Sequence, residues 1–331
     1  MLISVIVPVR DRAQPLGETL VGLRQQTLPA SAYEIIIVDD GSIPPIALPT
    51  SKSGPSCNLL RTSGRERSAA RNAGAGAAGG DVLVFVDDDI SVGPAFLEAH
   101  LLGQREWPGA MVVGSIRLPE EALARPFGRF RQALELQGIP RDRGITGAKN
   151  FCTAANMSMR RGRFVELGGF DEALVAAEDQ DLALRHSQKG GMIVFLPEAA
   201  AIHRDGALDA RTYCRRSEWG SERLVAFSER HRDWPDSIER DRVNGPVRWR
   251  QEAVVWTVRK VVKKAVASRA VVEVLFAMAV ILERSAPDSW VLRRVYRLLL
   301  GAHVFRGHRR GLARAERVSG VKGSMMAADR G

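Results

Sequence analysis

The chain has 331 residues, 45% of them hydrophobic and 26% charged, which supplies a packed core and excludes a disordered polymer. Its formal net charge of +10 is uneven: residues 246–331 carry 18 Lys and Arg against 6 Asp and Glu, leaving 30 against 32 for residues 1–245. The three cysteines, Cys57, Cys152 and Cys214, show no CxxC spacing, which argues against a disulfide framework or a cysteine zinc site and points to a reducing, cytoplasmic compartment.

The first residues, LISVIVPV, are apolar from position 2 with no basic run before them, and so predict a buried strand rather than a signal peptide. Further strand-like runs follow at EIIIVDD (34–40), VLVFVDDD (82–89), MVVGSI (111–116) and MIVFLP (192–197). Between the first two, Leu16, Leu20 and Leu23 recur at helical spacing. Short continuous apolar strands alternating with helices predict an α/β fold, with a largely parallel sheet covered by helices on both faces. Ligands gather at the carboxyl ends of such strands, where Asp39-Asp40 and Asp87-Asp88-Asp89 stand.

Gly74 to Gly79 fits GxGxxG, but a dinucleotide loop must follow a strand and open a helix. Here the glycines precede the VLVFV strand, so RSAARNAGAGAAGG predicts a small-residue helix packed on the sheet. Residues 119–150, rich in Pro, Gly and Arg, read as a long excursion of the kind that forms a lid or binding loop, and the acceptor side is expected there. A break at 234–246 ends the first domain.

Beyond it, Val254, Val258, Val261, Val262 and Ala265 form a helical stripe amid Arg259, Lys260, Lys263 and Lys264. This basic amphipathic helix could lie on an anionic membrane or pack on the domain with its charges in water. The run VVEVLFAMAVIL (271–282) includes Glu273 and falls short of the ~20 residues of a spanning helix. From Gly307 the composition predicts a disordered end. Sparse aromatic residues there speak against a single-stranded nucleic-acid partner.

Two acidic clusters carry the chemistry. Three carboxylates where a buried strand meets solvent repel one another, and a hard divalent cation is their natural partner. Glu178-Asp179 opens the helix-like EDQDLALR, where acids are favoured by the helix dipole and equally suit a general base. VDDGS also reads as an Asp-Gly turn after a strand.

The series VIVPVRDR (5–12), EIIIVDDGS (34–42), RSAARNAG (67–74), VLVFVDDD (82–89), NMSMRR (156–161), LGGFDE (167–172), EDQDLALR (178–185) and Pro197 to His203 resembles family 2 glycosyltransferases of the GT-A fold. The resemblance spans about residues 3–205 and implies a GT-A-type mixed, largely parallel sheet, with a basic α-helical C-terminal extension added here. It implies that Pro8, Arg10, Asp39 and Asp40 border the base and ribose of a nucleotide-sugar donor, and that Arg71, Asp87 and Asp88, with Asn72 in a lesser role, complete the donor side. Asp89, with Asp87 and His203, would hold Mg2+ or Mn2+. Asp179 would be the general base of an inverting transfer, with Glu178 its catalytic neighbour.

No QxxRW follows, so addition of one sugar is expected rather than chain extension, in cell-surface glycan or glycolipid synthesis. The implied layout is a catalytic domain over 1–245 (nucleotide-sugar half about 1–92, acceptor half about 93–205) and an extension over 246–331. Expected partners are the donor, a glycan or lipid-linked hydroxyl acceptor, and an anionic membrane surface met through 253–282, with the protein peripheral on the inner face of the cytoplasmic membrane. Two rivals remain. A sugar-nucleotide pyrophosphorylase shares the architecture but needs a glycine-rich loop where PVRDRAQP stands, and a non-catalytic binding module would keep the acids only to bind.

Overall fold

A computed structural model describes residues 1–48, 54–147, 151–205, 209–247 and 252–328, with side chains to 317. They divide into two compact units, Met1–Ala122 with Arg131–Gly206, and Leu123–Phe130 with Ala207–Gly331. The division falls well before the change in charge at 246.

The first unit is built on one sheet of nine strands. These are β1 (Ile3–Val9), β2 (Tyr33–Asp39), β3 (Ser56–Arg61), β4 (Val82–Val86), β5 (Ile90–Val92), β6 (Met111–Arg117), β7 (Gly144–Thr146), β8 (Asn156–Arg160) and β9 (Ile193–His203). Their order is β3-β2-β1-β4-β8-β6-β9-β5, with β7 also on β9. The strands from β3 to β4 run parallel, as do β6 and β9. β8 enters antiparallel between β4 and β6.

Period-two alternation sorts the side chains onto two cores. Val5, Val7, Ile35, Ile37, Val84 and Val86 face α1 (Ala13–Arg24) and α3 (Phe96–Glu106). Ile6, Ile36, Val38, Leu83 and Phe85 face α2 (Arg67–Ala77), α6 (Arg161–Glu166) and α7 (Glu178–Gln188). Helices therefore cover both faces, as the apolar runs predict. Gly74 serves packing: a Cβ there would stand 2.6 Å from the Ile6 side chain and 3.0 Å from Val38, so its absence lets α2 lie close on β1 and β2. The GxGxxG stretch is thus helix interior and helix end, with no phosphate loop.

The ladder between β1 and β4 ends at Ile6–Phe85, while β1 continues beside β2 to Val9–Asp39. Past that point β1 and β4 part. The chain travels outward from β1 to β2 and β3, then returns to the other side of β1 with β4, so this gap is the switch point at which ligands bind in open α/β sheets.

The 119–150 excursion is not structureless. It holds α4 (Glu120–Leu123), α5 (Pro126–Glu135) and β7, because the apolar positions of α5, Phe127 and Phe130, are buried. Residues 148–150 lie outside the described set.

In the second unit α8 (Ala210–Arg230), α9 (Pro235–Asn244), α10 (Val254–Val266), α11 (Arg269–Ser285) and α12 (Trp290–Ala328) follow one another. From Gly307, where disorder is expected, α12 runs on through the residues described. The reason is close packing: a Cβ on Gly307 would stand 2.0 Å from the Glu218 carbonyl oxygen and one on Gly311 2.4 Å from that of Glu222, so both glycines let α12 touch the α8 backbone. The last three residues of the chain lie outside the described set.

Among the described residues no single helix is long and apolar enough to cross a membrane; α10 and α11 meet that requirement only as a pair bent by 73°. On α10 the valine stripe is not the packed face. Lys260 is buried, whereas Val254 is 77% and Val258 54% exposed.

Candidate functional site

The site forms where β4 ends. Continuing the strand alternation, Asp87 turns to the α2 face and Asp88 to the α1 face. Arg71 stands one helical turn before Gly74, on the side of α2 pressed against the sheet, and is 2% exposed. Its Nη2 donates to Asp87 Oδ1 at 2.6 Å and its Nη1 to Glu178 Oε1 at 2.7 Å. One guanidinium thus joins the two acidic clusters that stand about ninety residues apart in the sequence. Burial works against both charges, but the attraction to Asp87 and then Glu178 raises the Arg71 pKa. Arg71 in turn holds the Asp87 carboxyl below its ordinary range.

Asp179 sits beside this bridge in the first turn of α7, with Oδ1 accepting from Gln180 N at 2.8 Å and Oδ2 from Ala154 N at 3.3 Å. Burial, and then the neighbouring Glu178 charge, push its pKa well above the usual carboxylate range. The residue before the helix, Ala177, has φ 61°. A left-handed alanine of this kind is strained, and such strain persists where surrounding structure fixes it.

On the α1 face, the sequence motifs do not disclose the role of Arg12. Its Nη1 meets Asp88 Oδ1 at 3.0 Å and its Nη2 meets Asp89 Oδ2 at 2.8 Å. Thr19 of α1 donates to the Asp88 carbonyl at 2.9 Å, which pins the turn. The antiparallel pairing of Ile90 with His203 carries the imidazole to the other side of Asp89, where Nε2 and Oδ1 are 3.2 Å apart. Burial pushes Asp88 up to about 7 in spite of Arg12. For Asp89 the same penalty is overcome by the bonds from His203 and Arg12, which hold it far below the carboxylate range. The His203 pKa is raised, because contact with Asp89 outweighs burial. Asp205, also buried, pairs with Arg131 of α5 at 2.9 Å and adds to the negative field around Arg12.

Asp89 and His203 stand together at 3.2 Å, and a carboxylate beside an imidazole is a donor pair that could take a divalent cation. No three His, Cys, Asp or Glu side chains form a cage among the described residues. These residues therefore fit a cation that completes its shell from a ligand's phosphate oxygens, provided the Arg12 guanidinium moves off Asp89. Asp87 gives Oδ1 to Arg71, and its charge acts on His203.

Other expected contacts divide. Pro8 lies buried in β1 at the opening between β1 and β4, and Arg10 is exposed beyond it. Asp39 has both oxygens in the following turn, accepting from Ser42 N at 2.8 Å and Ile46 N at 3.1 Å. It is 1% exposed, so the turn, rather than an open ligand surface, takes its carboxylate. Asp40 accepts from Thr62 Oγ1 at 2.6 Å and from the amides of Arg65 and Glu66 at 2.9 and 3.0 Å, anchoring the loop before α2. Asn72 donates to the Phe170 carbonyl and accepts from its amide, both at 2.9 Å, and so fastens the GGFDE loop.

Comparison with known proteins agrees with this geometry. Residues 4–168 match the family model described as Glycosyl transferase family 2. An uncharacterized glycosyltransferase of Haemophilus influenzae is 30% identical over 190 residues, covering 57% of this chain and 63% of its own length. A pre-mycofactocin glycosyltransferase of Mycobacterium tuberculosis is 26% identical over 238 residues, covering 70% of this chain and 48% of its own. The chain thus spans less than two thirds of these relatives. Among solved structures, a mannosyltransferase from Pyrobaculum calidifontis, in complex with GDP-Man and Mn2+, superposes with a TM-score of 0.60. It is 16% identical, with 92% of this chain and 86% of that one covered, and so shares the fold.

Proposed function

The chain belongs to the family 2 glycosyltransferases, and from that membership we propose that it moves one sugar from a nucleotide-sugar donor to a hydroxyl acceptor with inversion at the anomeric carbon. The observation that carries the reading is the Arg71 bridge, which brings Asp87 on the donor side and Glu178-Asp179 on the acceptor side to one crevice. Asp179 takes the acceptor hydroxyl proton as the oxygen attacks the carbon from the face opposite the leaving diphosphate. Its raised pKa makes it a stronger base than an ordinary carboxylate, and the Ala154 and Gln180 amides aim it. Glu178 positions Arg71 and, by its charge, raises the basicity of Asp179. Arg71 fixes Asp87, and Pro8 and Arg10 border the opening in which the nucleoside lies.

Asp89 and His203 would hold Mg2+ or Mn2+, which supplies neutralisation of the departing diphosphate. The mannosyltransferase solved in complex with GDP-Man and Mn2+ supports that choice of ligand class. The acceptor is a glycan or lipid-linked hydroxyl, and the exposed valines of α10 support contact with an anionic membrane surface. A screen of nucleotide sugars for divalent-cation-dependent release of nucleoside diphosphate tests the reading. No release or transfer with any donor, in either cation, would overturn it.

A further inference from the structure

The second unit contains a cavity of about 650 Å³ between the turn at Gly245 to Val247 and the helices α8, α10, α11 and α12. Six cations line it: Lys260 and Lys264 from α10, Arg269 from α11, and Arg306, Arg309 and Arg310 from α12, with Glu218 as the one acid. Two of the six are already matched. Arg310 pairs with Glu218 at 2.5 Å, and Lys260 with Glu252 at 2.5 Å. Lys264, Arg269, Arg306 and Arg309 form no ion pair among the described residues. Arg306 donates Nε to the Ala267 carbonyl at 2.6 Å, while its Nη2 is buried without a partner. A buried guanidinium nitrogen with nothing to bond costs stability unless something fills the site.

We propose that this cavity binds a phosphate group. Four unmatched cations around one concave space suit a phosphate anion, and guanidinium forks match phosphate oxygens two at a time. Its surroundings say where the phosphate comes from. α10 turns Lys260 inward and its valines outward, with Val254, Val258 and Val262 at 77%, 54% and 55% exposure. On α11, Val274 and Ile281 are 59% and 63% exposed. An apolar face beside a cationic cavity is the arrangement that takes a lipid, with the headgroup phosphate in the cavity and the chains against the valines. The inference deepens the membrane part of the proposed function and is independent of the transfer chemistry, because its readout is binding.

The test uses the full chain with two probes: phosphatidylcholine vesicles with and without phosphatidylglycerol, in co-sedimentation, and inorganic pyrophosphate, by calorimetry. Arg306→Gln with Arg309→Gln removes two of the six cations that line the cavity. Lys264→Gln with Arg269→Gln removes two cations at exposed positions where folding is not at stake. Arg294→Gln with Arg297→Gln, on exposed turns of α12 outside the cavity, removes the same charge elsewhere. The expected result is that both cavity variants lose anionic-vesicle affinity by roughly tenfold or more, while the outside pair retains it. Loss of pyrophosphate binding in the cavity variants, with vesicle binding unchanged in all, assigns the site to a free phosphate. Equal losses in all three variants, or no binding of either probe by the parent chain, overturn the proposal. Nucleotide-sugar turnover in solution stays at the parent rate in all three variants, which separates this test from that of the transfer reaction.

Discussion

Each charged side chain at the crevice has an assigned partner, and that makes single substitutions readable. Asp179→Asn keeps the shape and the amide contacts but removes the base. Transfer should fall by roughly 10²–10⁴, with nucleotide-sugar affinity by calorimetry unchanged; retained turnover would remove Asp179 as the base. The same variant has a stability signature. Because the folded pKa is raised, the native state holds a proton that the unfolded chain has released above pH ~4. Asp179 thus costs stability as pH rises from that value through its folded pKa. The thermal midpoint of the Asn variant should therefore exceed the parent's by a margin that grows across that window and then levels. At Arg71 the sign is opposite: Arg71→Met leaves Asp87 and Glu178, both largely shielded from water, without the guanidinium between them, and costs about 3–5 kcal/mol in urea unfolding. Arg12→Ala removes the guanidinium from Asp88 and Asp89, so Mn2+ should bind the free protein more tightly, as read from the quenching of the free-ion paramagnetic resonance signal. Unchanged Mn2+ affinity would show that Arg12 does not compete for the site.

Elements were legible to the extent that their residues carry their own period. β1, β2 and β4 are apolar runs that the sheet buries on both faces, as are the first four residues of β6 and of β9. β3, SCNLLR, has no buried residue, and β8, NMSMR, has no β-branched residue; pairing with neighbours, not composition, makes them strands. The acids of the site stood out because adjacent carboxylates closing a buried strand repel one another and call for a cation. Arg12 did not, since its ion pairs are long-range and an arginine in a loop carries no local signal. Asp39 and Asp40 looked like ligand contacts, yet turn geometry consumes much of their hydrogen-bonding capacity. The α2 helix offers a paired test of packing. Gly74→Val drives carbon into Ile6 and should cost about 1–3 kcal/mol, whereas Gly76→Ala, with no atom within 4 Å of the new methyl, should gain about 0.5–1 kcal/mol in thermal unfolding.

At the scale of the whole molecule the charge asymmetry separates two kinds of ligand. The groups assigned to donor and cation, from Pro8 to His203, belong to the unit made of Met1–Ala122 and Arg131–Gly206, whereas the six cavity cations belong to the unit made of Leu123–Phe130 and Ala207–Gly331. A ligand protects the part of the chain whose opening it opposes, by about 2.7 kcal/mol at a hundred times its Kd. Nucleoside diphosphate with Mn2+ should slow amide exchange in β1, β4, β5, the start of α7 and the end of β9, and leave α10 and α12 unchanged. Vesicles containing phosphatidylglycerol should do the reverse, slowing α10, α11 and the 305–310 turns of α12. Asp89→Ala should abolish the first pattern alone, and Arg306→Gln with Arg309→Gln the second alone. Protection of both units by the nucleotide would show that the cationic cavity answers to the donor, and the assignment of separate ligands would fall.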